Sequence, residues 1–166
     1  YQKQSKLSRI SKEQAKENEK VLPLYEKLLK ALSDGIPARR LGFDDDEKAL
    51  LYDLHLITLK PVIYVCNVDE DGISEDNDYV KTVREIAKND NDAPVVVICG
   101  KIESEIASLD TEEEKKEFLE AVGLEESGLN PLVRAAYHAL GLRTFFTAGK
   151  DEDRAWTFKE GSRAPQ

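Results

Sequence analysis

Two proline-led apolar runs constrain this chain more than any other feature. Pro61 is followed by Val62-Ile63-Tyr64-Val65-Cys66, and Pro94 by Val95-Val96-Val97-Ile98-Cys99. Short continuous runs rich in β-branched residues and bounded by turn residues read as strands buried on both faces, the usual condition in a parallel sheet. Between them, Val80, Val83, Ile86 and Ala87 recur at helical spacing within residues 79–89. Strand, helix and strand inside about 38 residues make a parallel βαβ unit, with a right-handed crossover by the general rule.

The flanks are helical in pattern. Val21, Leu24, Leu28 and Leu32 stand three and four apart in a stretch rich in Lys, Glu and Gln, so residues 1–33 read as an amphipathic helix that Asp34-Gly35 ends. Pro23 has no N–H to donate, which predicts a kink or a helix start there. Asp44-Asp45-Asp46 places negative charge where a helix N-terminus favours it, so a second helix is expected over about 44–56, and the two together read as a helical hairpin or arm. Farther on, Thr111-Glu112-Glu113-Glu114 is a capping box for a helix that Gly123 closes. Asn130-Pro131 offers an N-cap with proline at the first helical position, and Gly141 closes that helix. Thr144 to Thr147 and Arg154 to Phe158 read as two short strands around an Ala-Gly-Lys-Asp turn.

Composition narrows the setting. The 166 residues suit about one domain or two small ones. A net charge of −9 argues against a uniformly basic nucleic-acid surface, although a local patch such as Arg39-Arg40 survives. No apolar run approaches the roughly 18 residues that span a bilayer, and none near the start resembles a signal sequence. A cytoplasmic protein without a membrane partner is therefore expected. Cys66 and Cys99 each end an apolar run and read as reduced core thiols. Residue 1 is Tyr, the chain has no Met, and a helical pattern is already running at the start, which reads as a piece of something longer.

The candidate site lies where the strands end. In open parallel α/β sheets, ligands bind beyond the carboxyl ends of the strands. Asn67 and Glu70 follow the first run, and Gly100 and Lys101 follow the second. A carboxamide both donates and accepts, so Asn67 could read the N7 and exocyclic edge of a purine or brace a neighbouring loop. Gly100 has no side chain, so the backbone of Cys99-Gly100-Lys101 could approach a planar base, with the lysine stem along its face. The competing reading of residues 67–72 is an ordinary turn in which Asn67 caps and Gly72 takes a positive φ. His55 and His138 lie on apolar helical stripes without a Cys, His or Ser partner at ligand or triad spacing, and read as packing residues. No G-x-x-x-x-G-K-[ST] run occurs, and no paired carboxylates stand out. The residues by themselves lead to a candidate purine pocket without catalytic residues or metal ligands.

A wider pattern extends this reading. Thr58-Leu59-Lys60-Pro61 leading to Asn67-Val68-Asp69-Glu70 is followed by Cys99-Gly100-Lys101-Ile102-Glu103 and the helix start from Leu109 to Phe118. Then come Gly123-Leu124-Glu125-Glu126-Ser127-Gly128-Leu129-Asn130, Thr144-Phe145-Phe146-Thr147-Ala148-Gly149 and Arg154-Ala155-Trp156-Thr157. Together they resemble the YchF/Obg-like ATPases over nearly the whole chain, most specifically from residue 58 onward. The resemblance implies an α/β fold: the C-terminal half of a Ras-like P-loop NTPase domain at 57–140. Residues 1–56 would be part of an inserted helical coiled-coil arm, and 141–166 the first hairpin of a β-grasp TGS domain.

It also implies chemistry. Asn67-Val68-Asp69-Glu70 falls where guanine-specific relatives carry Asn-Lys-x-Asp, and Cys99-Gly100-Lys101 where they carry Ser-Ala-Lys. In those relatives the aspartate accepts from guanine N1–H and the 2-amino group, neither of which adenine offers. Glu70 carries its carboxylate one methylene farther out. The implied ligand is ATP with Mg2+ in preference to GTP, lined by Asn67, Val68, Glu70, Cys99, Gly100 and Lys101. The P-loop, the magnesium ligands and the switch segments would precede residue 1. The intact parent would then be an ATPase associated with ribosomes or RNA through the arm and the TGS domain, and this chain alone would be inactive. Its rivals are a non-enzymatic RNA- or ribosome-interaction module with a vestigial nucleotide loop, and a helical adaptor fused to an inert α/β scaffold.

Overall fold

The computed structural model describes residues 12–150 and 152–163, with side chains described from residue 19 onward. The expected start of the first helix, residues 1–11, lies outside them. The chain divides into two compact units, Tyr1–Pro61 and Val62–Gln166.

The first unit is helical. Helix α1 spans Lys12–Ser33 and buries Val21, Leu24, Leu28 and Ala31. That spacing of three, four and three follows the 3.6-residue period, whereas Leu32, expected in the stripe, lies one residue round the helix and is 38% exposed. Pro23 lies inside α1 rather than at its start. It is on the exposed side, and the helix there goes without the bond that an N–H at this position would make. Gly35, at φ 74°, ends the helix: its N–H donates to Leu32 O at 3.2 Å and that of Ile36 to Ala31 O at 2.8 Å. These are the paired bonds of a Schellman cap, which needs a left-handed residue.

Helix α2, Asp45–Leu51, is shorter than the expected 44–56 because a 3-10 turn, Tyr52–Leu54, follows and His55 turns left-handed at φ 47°. Its start matches the acidic cluster: Asp44 Oδ1 accepts from Glu47 N–H at 2.8 Å, while the Glu47 carboxylate accepts from Asp44 N–H at 3.0 Å. Leu24, Leu28, Ala38, Phe43 and Leu51 form the core of this unit. His55 and His138 are both exposed, which corrects their reading as packing residues.

The second unit holds the sheet. Strands β1, Tyr64–Asn67, and β2, Val95–Ile98, pair in parallel from Tyr64↔Val95 to Asn67↔Ile98. They begin and end close to the expected runs but are not buried on both faces, since Val65 is 45% exposed and only Val96 of β2 is fully buried. Among the described residues each strand of this sheet has a single hydrogen-bonded neighbour. After a short helix α3, Asp71–Ser74, comes α4, Asp78–Lys88, which Asn77 caps by accepting from Val80 N–H at 3.0 Å. Helix α4 packs against both strands with Val80 and Ala87 buried, while Ile86 faces solvent. Buried Asp90 accepts from Tyr64 Oη–H at 2.8 Å and ties the end of the crossover to β1.

Helix α5 spans Gly100–Ala107 and α6 spans Glu112–Ala121, the latter opened by the Thr111–Glu114 capping box and closed by Gly123 at φ 73°. Helix α7, Leu129–Ala139, has Gly128 at its N-cap, so Asn130 is its second residue rather than its cap. Strands β3, Leu142–Ala148, and β4, Asp153–Lys159, form an antiparallel hairpin longer than the sequence pattern indicates. Trp156 Nε1–H reaches across it to Thr147 Oγ1 at 2.9 Å.

Candidate functional site at the strand ends

Parallel pairing sets the loops after β1 and β2 side by side. The ladder continues one step past β1, where Val68 N–H donates to Ile98 O at 2.8 Å. Helix α5 then begins without a cap of its own, because Cys99 at its N-cap makes no side-chain bond. The donor is satisfied from 33 positions away: Asn67 Oδ1 accepts from Gly100 N–H at 2.9 Å. Of the two uses the sequence left open for Asn67, bracing the neighbouring loop is the one seen. A Cβ added to Gly100 would lie 3.3 Å from Asn67 Oδ1, so glycine is what permits the approach. A carboxamide has one acceptor oxygen and one donor nitrogen. With Oδ1 committed, Nδ2 is the group of Asn67 without a partner among the described residues.

Glu70 and Lys101 meet across the same two loops. Lys101 Nζ–H donates to Glu70 Oε1 at 2.6 Å, and both side chains are more than half exposed. The bond to Glu70, and then its negative charge, hold the Lys101 ammonium above its ordinary pKa. An ion pair this exposed stabilises the fold little.

Of the competing reading of residues 67–72 as a turn, Asn67 does cap, though at the start of α5, and the glycine differs. Gly72 has no positive φ; it lies within α3, its N–H donating to Asp69 Oδ1 at 3.0 Å. A Cβ there would stand 2.9 Å from both Val68 Cβ and Asp69 Oδ1, so close packing is what requires glycine. Val68 is half-buried and Cys99 fully so; the Cys99 side chain belongs to a cluster with Ile102 and Ile106 and reaches the site through its backbone only. Cys66 and Cys99 are both free thiols, Cys66 only half-buried.

One supporting residue escaped the sequence reading. Glu103, in the first turn of α5, accepts from Gly128 N–H at 2.7 Å through Oε1 and from the Ser127 hydroxyl through Oε2. It thereby fastens the segment before α7, including the N-cap Gly128, to the helix that follows β2. A Cβ on Gly128 would come within 2.8 Å of Ile98 Cγ2. Local patterns carry no sign of a bond between residues 24 or 25 apart. The only hint was a Ser-Gly pair next to a helix start. Among the described residues no three His, Cys, Asp or Glu side chains gather as a metal site. No described helix is long and apolar enough to cross a membrane.

Comparison with known proteins bears on this geometry. No family model matches the chain. It is 44% identical over 164 residues to the ribosome-binding ATPase YchF of Bacillus subtilis, covering 98% of this chain and 44% of that protein. With the ribosome-binding ATPase YchF of Escherichia coli O157:H7 the identity is 46% over 145 residues, covering 87% of this chain and 39% of that one. Among solved structures, the YchF GTPase of Schizosaccharomyces pombe superposes with a TM-score of 0.84 at 26% identity, over 98% of this chain and 45% of that protein. The chain thus spans less than half the length of the relatives it matches.

Proposed function

We propose, proceeding from the homology of this chain over nearly its whole length to part of the YchF proteins, that its strand ends form the base subsite of a cytoplasmic, ribosome-associated ATPase. The observation that carries this reading is the bond from Gly100 N–H to Asn67 Oδ1. It fixes the carboxamide with Nδ2 as the remaining donor, suited to the N7 acceptor that every purine presents. Val68 and the backbone of Cys99, Gly100 and Lys101 would line the ring, and Glu70 would face its Watson–Crick edge.

Residues 57–140 would be the C-terminal half of the nucleotide domain, 1–56 part of a coiled-coil arm, and 141–166 the opening hairpin of a TGS domain, with ribosome or RNA contacts made through the last two. Phosphoryl transfer in this class rests on phosphate-cradling amides, a lysine and Mg2+, which neutralises charge building on the transferring group. None of the described residues is assigned to those roles.

ATP preference follows from Glu70. Shortening it returns a carboxylate toward guanine's two donors, and hydrogen bonds to a charged group are worth roughly 1.5 to 3 kcal/mol each. Desolvation offsets much of that gain, and Val68 lacks the lysine stem of guanine-specific relatives. In the full-length protein, Glu70→Asp is therefore expected to shift relative affinity toward GTP about tenfold, roughly 1.4 kcal/mol. Paired calorimetric titrations of wild type and variant with ATP and GTP measure it. A wild-type protein that binds neither nucleotide would favour the interaction-module reading instead.

A further inference from the structure

We propose that the Lys101–Glu70 ion pair, and not the reach of the Glu70 side chain alone, disfavours guanine relative to adenine at the site; the inference rests on reading the strand ends as a purine-base subsite. Glu70 follows β1 and Lys101 follows β2, 31 positions apart in the chain, yet Nζ lies 2.6 Å from Oε1. To arrive there the lysine side chain has to bridge from the first turn of α5 to the N-cap of α3, linking the two loops that the base would occupy.

Guanine offers two adjacent donors, N1–H and the 2-amino group, and a carboxylate holds both only by presenting both oxygens. With Oε1 already accepting from an ammonium, Glu70 presents guanine one unengaged oxygen and one whose charge is partly neutralised and whose approach the lysine side chain crowds, so the bidentate hold on the two donors is weakened unless the lysine moves aside. Adenine has neither donor at these positions and leaves the pair intact. In open water such a pair is weak. A purine ring lying against it removes water from one side and strengthens the Coulomb attraction when the choice between bases is made. Glu105 adds a second negative charge near Lys101 and further favours its ammonium form.

The test uses the full-length protein and compares ATP and GTP dissociation constants by calorimetry for wild type, Lys101→Met, Lys101→Arg, Glu70→Gln and the double variant Glu70→Gln with Lys101→Met. Methionine keeps an apolar stem of similar length and removes the charge. Any loss of stacking falls on both purines and cancels in the ratio. Lys101→Met should shift the GTP-to-ATP affinity ratio toward GTP about fivefold, the upper reach of an exposed pair. Lys101→Arg should stay within twofold of wild type by the same measure. Without the Glu70 charge, Lys101→Met should leave the ratio of Glu70→Gln unchanged. If both nucleotides bind and Lys101→Met leaves the ratio at its wild-type value, the ion pair does not discriminate and the inference is overturned while the base subsite stands. If neither nucleotide binds the wild-type protein, the subsite reading fails and takes the inference with it.

Discussion

Residues 1–166 alone are expected to bind ATP no more tightly than about millimolar and to hydrolyse none of it. The strand ends offer a purine one carboxamide donor and a stretch of backbone, and a net hydrogen bond of this kind contributes only about 0.5 to 1.5 kcal/mol. Two or three of them, with partial stacking against the Lys101 stem, must first overcome the loss of translational and rotational freedom on association. Affinity in this class comes chiefly from amides and a lysine around the β-phosphate, and the chain carries no G-x-x-x-x-G-K-[ST] run to supply them. Titration of the purified 166-residue chain with ATP, followed by NMR or calorimetry, reads the affinity directly. Micromolar binding, or turnover that survives removal of contaminating ATPases, would show phosphate-binding or catalytic groups that the account does not contain.

Leu51→Ala is expected to destabilise the helical unit by about 3 kcal/mol, within the 2 to 5 typical of a fully buried leucine. Leu51 is 0% exposed at the end of α2, in a cluster with Leu24 and Leu28 of α1 and with Ala38 and Phe43. The partners that could collapse into the gap are held: Ala38 lies in a 3-10 turn, and Phe43 carries Lys27 Nζ over its ring at 4.7 Å. That leaves a cavity as well as a loss of transferred apolar surface, and both act in the same direction. Denaturant unfolding followed by far-ultraviolet circular dichroism should show the share of the helical signal that α1 and α2 contribute lost at lower denaturant, while the share from α3 to α7 stays in place. The only tryptophan, Trp156, reports on the other unit, so its fluorescence change should move much less. A shift corresponding to less than about 1 kcal/mol would mean that the site relaxes and that Leu51 does not organise this core.

Much of this architecture was legible because it is written locally. The Thr111–Glu114 box, the acidic start of α2 and the glycines after α1, α6 and α7 are satisfied by bonds within a few residues, so short windows carry them. The βαβ unit was legible from two apolar runs with a helical pattern between them. What failed depended on surroundings. Leu32 and Ala31 are adjacent and both apolar, and only the packing partners decide which is buried. Strand burial was overestimated because a run of valines does not say how many neighbours the strand has. At the site, Asn67, Gly100, Glu70 and Lys101 were named from their places after two strands, but the bonds that join them run over 31 and 33 positions. Glu103 was missed for the same reason, since its partners lie on a loop no local pattern connects to it.

Asn67→Ala probes the central claim most directly, that the strand ends of β1 and β2 bind a purine. The substitution removes both the acceptor that holds Gly100 N–H and the donor left for N7, and both purines carry N7. The bond it breaks lies at an exposed site, so the fold should survive with little change in melting temperature. In the full-length protein, calorimetric titration should give ATP and GTP affinities each reduced about tenfold, with their ratio unchanged. Wild-type affinities for both nucleotides in a folded Asn67→Ala protein would contradict the account and leave the Asn67–Gly100 bond a helix cap with no part in binding.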